Sequence, residues 1–251
     1  MGDRFRLIYL KSPELEKDKM AESSSSHDPE ETSSNVLSSS TYLNTPNTFS
    51  SQTMLKQAKT DLKHPDPKVR ILAIQYLEKS DSSTVIPLLQ EVLSDQDPSV
   101  RAQVLSSLIK FQDPVVCSVL KKYLKDSDPR VKIAALRGMF QFNEKIDLNI
   151  LIQLLSDESS QVRRKLATLL GWTQMEGVYP ILMEMSKDPD SGVRKAALLS
   201  LMTLYPHESE NRLVEAMTDS DPDLRKWARG VLEKTLTKPS KRSSSPLPSQ
   251  A

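Results

Sequence analysis

The sequence predicts an all-α fold, a solenoid of six helical hairpins, on three observations. A basic residue recurs every 31 positions, apolar residues recur around it with helical spacing, and an N-capping residue precedes it in every unit. The basic column consists of Arg70, Arg101, Lys132, Arg163, Arg194 and Arg225. Six units of 31 residues, without insertion or deletion, span residues 51–236 and indicate a repeat protein.

The basic residue of each unit, taken as offset zero, lies in the second helix of a hairpin. Offsets −1, +3 and +7, such as Val100, Val104 and Leu108, are apolar or small and fall on one helical face. Offset −4 holds residues that cap helix N-termini: Asp66, Asp97, Asp128, Ser159, Asp190 and Asp221. Proline follows this cap in four units, at the first helical position, where its missing N–H costs nothing. We therefore expect the second helix to start directly after offset −4.

An earlier helix in each unit is indicated by mostly apolar residues at offsets −12 and −8, such as Leu89 and Leu93. Pro87 and Pro180 share one column of this helix and are predicted to lie in its first turn, where proline is tolerated. Neither helix of a unit can bury its apolar stripe alone, so the units must stack.

Four stretches carry a resemblance to a known family: "DPKVRILAIQYL" (66–77), "DPSVRAQVLSSL" (97–108), "DPRVKIAALRGM" (128–139) and "DPDLRKWARGVL" (221–232). The pattern resembles the HEAT-like repeats of the short subclass named after phycobilisome lyases, over about three quarters of the chain. The resemblance implies a right-handed α-solenoid whose second helices line the concave side. It implies little about function, because many unrelated roles use this scaffold.

The repeat array is predicted to lie between two disordered tails. Residues 1–50 are Ser-rich and acidic, with too little apolar content to offset the entropy of folding, and residues 237–251 form a basic tail rich in Pro and Ser. The six predicted units are 51–81, 82–112, 113–143, 144–174, 175–205 and 206–236.

Composition excludes several function classes. A net charge of +1 gives no global argument for nucleic acid as a partner. The single cysteine, Cys117, cannot form an internal disulfide, which suits a reducing compartment, and "LIYL" (7–10) is too short for a membrane span. We expect a cytoplasmic monomer without a membrane association.

Acidic residues accompany the basic column six positions earlier. They are Asp95, Asp126, Asp157, Asp188 and Asp219, with His64 in the first unit. An active site is built once, whereas a stacking contact is rebuilt at every interface, so a structural role is favoured. The resemblance implies a hydrogen-bonded ladder of Asp and Arg, in which Lys132 loses the bidentate fork and gives the weaker rung.

The sequence gives no support for catalysis. Its histidines, His27, His64 and His207, are isolated, and His207-Glu208 is the one His-Glu pair, whereas the HEAT-like deoxyhypusine hydroxylases carry several as iron ligands. No HExxH, paired CxxC, GxSxG or P-loop occurs. We expect neither enzyme activity nor a metal or cofactor.

A partner-binding surface is predicted at offsets +1, +5, +8 and +9 of the second helices in the middle units. These positions are Ile133, Arg137, Phe140, Arg164, Thr168, Trp172, Lys195, Leu199 and Met202. Large apolar residues mixed with Arg are typical of interaction hot spots. The alternative is that Phe140 and Trp172 fold back to seal the loops, and that the basic column Arg164, Lys195 and Lys226 is an ordinary solvated stripe.

The predicted function is a non-catalytic scaffold that binds another protein, with an acidic, partly apolar segment as the partner. Two alternatives remain: a nucleic-acid-binding solenoid, and an accessory subunit of a bilin or cofactor lyase-type system. Salt separates the first two, because phosphate binding weakens steeply with added salt. Visible absorbance on purification would support the lyase-type alternative.

Overall fold

The computed structural model describes residues 51–142, 146–173 and 175–236, and within these ranges all regular structure is helical. The predicted tails, 1–50 and 237–251, lie outside the described residues. The helices are α1 (Ser51–Asp61), α2 (Pro67–Leu77), α3 (Ser82–Val92), α4 (Pro98–Lys110), α5 (Val115–Tyr123), α6 (Pro129–Gln141), α7 (Leu148–Leu155), α8 (Ser160–Leu170), α9 (Val178–Met185), α10 (Ser191–Leu204), α11 (Glu210–Glu215) and α12 (Pro222–Leu236). A short 3₁₀ turn, Ala216–Thr218, follows α11. Odd-numbered helices are the first, and even-numbered helices the second, of each hairpin, as the repeat predicts.

The described chain divides into two compact units, residues 51–169 and residues 170–236. In the N-terminal unit, α4 packs between α2 and α6, and the first helices α1, α3 and α5 pack against the second helices α2, α4 and α6 of their hairpins. In the C-terminal unit, α9 packs on α10, and α11 with its 3₁₀ turn packs on α12. Each unit is therefore a stack of helical hairpins.

The second helices start where the sequence predicts. Asp66, Asp97 and Asp128 each accept a hydrogen bond from the backbone N–H two residues later, at 2.7–2.8 Å. Asp190 and Asp221 accept from the N–H three residues later, at 3.0 and 2.8 Å. These side chains satisfy donors that the first turn of a helix leaves without an intrahelical acceptor.

The core consists of the predicted apolar columns. In the N-terminal unit Val100, Val104 and Leu108 of α4 are fully buried, and Leu89 of α3 meets them from the first helix of the hairpin. In the C-terminal unit the equivalent residues of α10, Val193, Ala197 and Leu201, are fully buried as well. Small residues at offset +3 allow neighbouring helices to approach closely.

The start of α3 differs from the prediction. Pro180 is the third residue of α9, within its first turn, but Pro87 is the sixth residue of α3 and lies in its interior. The reason is that Asp81 caps α3 early, accepting from the Ser83 N–H at 3.1 Å, so that α3 begins nearly a full turn sooner. Pro87 cannot donate to the carbonyl of Ser83, but both residues are exposed and water can reach that carbonyl.

None of the helices in the described ranges has the length and apolar character that crossing a membrane requires.

Candidate protein-binding surface

The Arg and Asp columns meet across successive hairpins. The Arg101 guanidinium donates from Nε and Nη2 to the two carboxylate oxygens of Asp126, at 2.9 and 2.7 Å. Arg70 donates from Nη2 to Asp95 at 2.8 Å. Each cation therefore pairs with the carboxylate of the following hairpin, 25 residues along the chain, rather than with the carboxylate of its own hairpin.

The same arginines also hold the turn of their own hairpin. Arg101 Nη1 donates to the carbonyls of Asp95 and Gln96 at 2.8 and 3.2 Å. Arg163 Nη1 donates to the carbonyls of Asp157 and Glu158 at 2.7 and 3.3 Å. One guanidinium thus fixes two successive turns, and we call each such cation–carboxylate contact a rung.

The C-terminal unit repeats this geometry. Arg194 donates from Nε to Asp219 at 2.8 Å and from Nη1 to the carbonyl of Asp188 at 2.8 Å. Arg225 donates to the carbonyl of Asp219 at 2.6 Å. The carboxylates of Asp188 and Asp219 each accept the backbone N–H two residues later.

Two positions depart from the rung pattern. Lys132 makes a single side-chain hydrogen bond, from Nζ to Asp157 at 2.6 Å, and leaves the carbonyls of its own turn without the cation that arginine supplies. His64 stands where the other units have Asp, and its Nδ1 accepts the Asp66 N–H at 3.1 Å while its carbonyl accepts from Arg70. The ring nitrogen of His64 therefore accepts the same backbone hydrogen bond that the Asp carboxylate accepts in the other units.

Burial and hydrogen bonding act in opposite directions on two of the rung carboxylates, Asp126 and Asp219. Burial raises the pKa of Asp126 and of Asp219, but the hydrogen bonds from Arg101 and Arg194, together with backbone N–H groups, outweigh it and hold each pKa below its ordinary value. The Arg101 and Asp126 side chains are only 14% and 9% exposed. The rungs are therefore internal stacking contacts and offer no surface to a partner.

A second set of cations lies on the opposite side of the second helices. Helices α2, α4, α6 and α8 contain ten Lys and Arg residues and no Asp or Glu. Four of these are the cations at offset zero. The other six, which we call the cationic face, are Lys68, Lys110, Arg130, Arg137, Arg164 and Lys165.

Helical geometry places these six residues together on each helix. They occupy offsets −2, +1, +2, +5 and +9, which at about 100° per residue fall within an arc of about 100°. That arc is centred roughly opposite the buried offsets −1, +3 and +7. In agreement, Lys165 is half-buried and the other five are exposed.

Equivalent positions of neighbouring second helices lie side by side in the N-terminal unit. Arg130 Nη1 donates to Ser99 Oγ at 2.8 Å, and the two residues share one offset in successive hairpins. Glu78, directly after α2, borders the face and accepts from Ser107 Oγ at 2.6 Å and from the Lys110 ammonium. Two members of the cationic face are therefore paired with carboxylates at its border, Lys110 with Glu78 and Arg130 with Asp128 at 2.9 Å.

The structure places the predicted partner-binding residues in different environments. Arg137, Arg164 and Trp172 are exposed, and the exposed fraction of Trp172 is 54%. Ile133, Phe140 and Thr168 are half-buried, as are Lys195 and Leu199. The Thr168 hydroxyl donates to the Arg164 carbonyl at 3.0 Å within α8.

Met202 is buried, whereas the sequence predicts it on the partner-binding surface. It is 1% exposed and belongs to the core of the C-terminal unit, against which Leu199 also packs. Offset +8 lies only about 40° from offset +4, because four residues exceed one helical turn by that angle. Offset +4 is a core column, as Leu198 shows, so the neighbouring column is buried with it.

Sequence reasoning missed a cation–π contact in the C-terminal unit. The Lys195 ammonium lies 5.5 Å from the ring centroid of Trp227, which is half-buried against the core. Lys195 and Trp227 occupy offsets +1 and +2 of successive hairpins. Residues at adjacent offsets of successive hairpins come close when the hairpins stack, and this was the signal that could have identified the pair.

The residues considered for catalysis are dispersed. Cys117 is buried in α5, whereas His64 and His207 are exposed in separate loops, and His27 lies outside the described residues. Among the described residues, no group of three or more His, Cys, Asp or Glu side chains could hold a metal ion.

Stacked helical hairpins with internal rungs define a helical-repeat scaffold. The chain belongs to the HEAT repeats family, whose sequence profile matches residues 55–139 and 148–233. The resemblance to HEAT-like repeats is thereby confirmed.

A comparison with solved structures found similarities at low sequence identity. The complex of CpcE and CpcF of phycocyanin lyase from Nostoc sp. PCC7120 is 21% identical with a TM-score of 0.50, covering 75% of this chain and 79% of that chain. A designed armadillo repeat protein in complex with the peptide (KR)4 is 16% identical with a TM-score of 0.48, covering 71% and 98%. Human deoxyhypusine hydroxylase is 17% identical with a TM-score of 0.34, covering 73% and 85%. A search of curated proteins found no match.

Proposed function

We propose that this protein is a non-catalytic scaffold whose second helices bind an acidic, partly apolar segment of another protein. The observation that carries the proposal is the cationic face, six Lys and Arg residues on helices α2, α4, α6 and α8, which contain no carboxylate of their own. With a net charge of only +1 for the whole chain, this surface is a local concentration of positive charge. Such a patch attracts a negatively charged partner and steers its approach.

Apolar side chains beside the cations favour a polypeptide as the partner. Ile133 and Phe140 are half-buried on α6, on the side toward Arg137, and each leaves part of its apolar surface accessible. Carboxylates of the partner can pair with the cations while apolar side chains of the partner cover the accessible parts of Ile133 and Phe140. Protein interfaces commonly combine these two kinds of contact.

The acidic caps make a nucleic acid the weaker candidate. Asp66, Asp97 and Asp128 follow one another at the N-terminal edge of the second helices, directly beside the cationic face. A phosphate backbone that crosses this edge would meet a row of like charges. A short peptide can bind on the cationic face without crossing the edge.

The test measures binding of a labelled 12-residue peptide of alternating Glu and Leu to the full chain, by fluorescence anisotropy. Arg137→Glu combined with Arg164→Glu should raise the Kd about tenfold or more, because two attractive contacts become repulsive. The matched control, Lys121→Glu combined with Lys122→Glu, makes the same charge change on exposed residues of α5 and should leave the Kd unchanged.

Two results would contradict the proposal. Equal losses in both double variants would indicate a general charge effect rather than a binding surface. Tighter binding of a 12-nucleotide single-stranded RNA, with a steep decrease on addition of salt, would instead identify a nucleic-acid-binding surface. Circular dichroism of each variant establishes that it is folded.

A further inference from the structure

The chain itself contains a segment with the chemistry that the cationic face requires. Residues 22–41, which we call the acidic segment, carry Glu22, Asp28, Glu30 and Glu31 and contain no Lys or Arg. Eleven of these twenty residues are Ser or Thr, and Val36-Leu37 supplies an apolar step. The segment is acidic and partly apolar, the two properties that define the proposed partner.

The acidic segment is close enough along the chain to reach the face. Ser51, where α1 begins, is twenty positions after Glu31. A chain of that length spans at most about 65–70 Å. Helices pack about 10 Å apart, so α2 and α8 are about 30 Å apart across the stack. Every cation of the face therefore lies within reach of the acidic segment.

Tethering favours this segment over a free partner of the same chemistry. A ligand on a short linker acts at an effective concentration in the millimolar range, so even weak intramolecular contacts compete with a free peptide. We propose that residues 22–41 occupy the cationic face of the same molecule and compete there with the external partner. This inference rests on the function proposed above, because it assigns a second, internal ligand to that surface.

The four consecutive serines, Ser23 to Ser26, extend the proposal to regulation. Each phosphate would add about −1.5 to −2 charges and oxygen acceptors that pair well with Arg. Transfer of the γ-phosphoryl group of ATP to these hydroxyls by a protein kinase, with release of ADP, would therefore strengthen occupation of the face by the segment and reduce access for the external partner.

The experiment uses the full chain and a labelled synthetic peptide of residues 22–41 as the probe. In the test variant the segment is neutralised by Glu22→Gln, Asp28→Asn, Glu30→Gln and Glu31→Gln. The matched control neutralises the four acids upstream of the segment, by Asp3→Asn, Glu14→Gln, Glu16→Gln and Asp18→Asn. We expect the test variant to bind the probe about fivefold or more tightly than the wild type, and the control variant to bind as the wild type does.

Further measurements separate this inference from the proposed function. Adding Arg137→Glu and Arg164→Glu to the test variant should abolish the gain, and phosphorylating the probe at Ser23 to Ser26 should increase its affinity at least fivefold. If neutralising the segment changes nothing while the arginine variant still loses binding, the internal ligand is refuted and the proposed function stands. If the arginine substitutions change binding neither in the wild type nor in the test variant, the internal ligand and the proposed function are both refuted.

Two other results would overturn the inference alone. An equal gain in the control variant would attribute the effect to net charge. A gain that grows with the concentration of the protein would show that the segment occupies the face of a second copy rather than its own.

Discussion

Lys132 differs in one respect from the arginines that occupy the equivalent position of the other five units. Its ammonium reaches Asp157 but cannot donate at the same time to the carbonyls of its own turn. Arg101, at the same offset, makes two hydrogen bonds to Asp126 and two to the carbonyls of Asp95 and Gln96. The difference follows from the planar fork of the guanidinium, which the point-like ammonium lacks.

We therefore expect Lys132→Arg to stabilise the protein. The new guanidinium could bind both oxygens of Asp157 and the carbonyl of Asp126, and the added hydrogen bonds should raise the free energy of unfolding by about 1 kcal/mol. The matched control is Arg101→Lys, which removes the same contacts from the preceding rung and should lower that free energy by a similar amount. Urea unfolding followed by circular dichroism measures both; an unchanged midpoint for both variants would show that the fork contributes no stability.

The helices α4 and α6 approach each other closely at a glycine. A Cβ on Gly138 of α6 would lie 2.6 Å from Ile109 Cδ1 and 2.8 Å from Leu120 Cδ1, far inside normal contact distance. Gly230 of α12 offers the opposite case, because nothing lies within 4 Å of its Cβ position. Both glycines lie inside helices, so they share the same intrinsic helical cost and differ in packing.

Substitution by alanine should raise the free energy of unfolding at Gly230 and lower it at Gly138. Gly230→Ala should raise the free energy of unfolding by up to about 1 kcal/mol, the gain in helix propensity. Gly138→Ala has the same gain but overpacks the helix contact at a cost of about 1–3 kcal/mol, so a net loss is expected. Adding Ile109→Val, which removes the nearest carbon, should recover part of this loss relative to Ile109→Val alone. A stabilised Gly138→Ala chain would mean that α4 and α6 can separate at little cost.

The start of each second helix could be predicted from the sequence, whereas the start of α3 could not. An Asp-Pro pair supplies both the cap and the first helical residue, so α2, α4 and α6 begin at proline as expected. Asp81, which caps α3, lies within "KSDSST", where several residues could cap a helix. Local sequence therefore left the start of α3 open, and the hydrogen bond to Ser83 fixes it.

Across the whole molecule, the 31-residue period predicted which residues are buried more reliably than which are exposed. The core columns, represented by Val100 and Leu108, are buried as expected because a stacked neighbour covers the same offset in every unit. The proposed binding surface was less predictable, as Met202 shows, because offset +8 lies at the border between the core and the outer face. The sequence also did not show that each rung cation pairs with the carboxylate of the following hairpin. An acid at offset −6 is available both in the cation's own hairpin and in the following one.

Charge is separated along the second helices of the N-terminal unit. Carboxylates concentrate in the turns, as caps and rung partners, whereas helices α2, α4, α6 and α8 contain Lys and Arg but no Asp or Glu. Hydrogen bonds favour the charged form of two of these carboxylates. The Arg130 side chain lowers the pKa of Asp128; burial raises the pKa of Asp126, but the hydrogen bond from Arg101 brings it below its ordinary value. The stack is therefore stabilised by groups that acid neutralises.

This arrangement predicts how stability depends on pH. The pKa of Asp126 is lower in the folded chain than its ordinary value of 3.8, so the folded state binds fewer protons than the unfolded state near that pH. Its contribution is fully present above about pH 4 and is lost as the pH falls through the folded-state pKa. Asp126→Asn should therefore lower the free energy of unfolding most at neutral pH, and the difference from the wild type should shrink as the pH falls below 4. Urea unfolding at a series of pH values from 7 to 2.5 measures this, with Asp223→Asn on the exposed start of α12 as the control. A difference between wild type and Asp126→Asn that stayed constant down to pH 2.5 would show that the charge of Asp126 does not stabilise its rung.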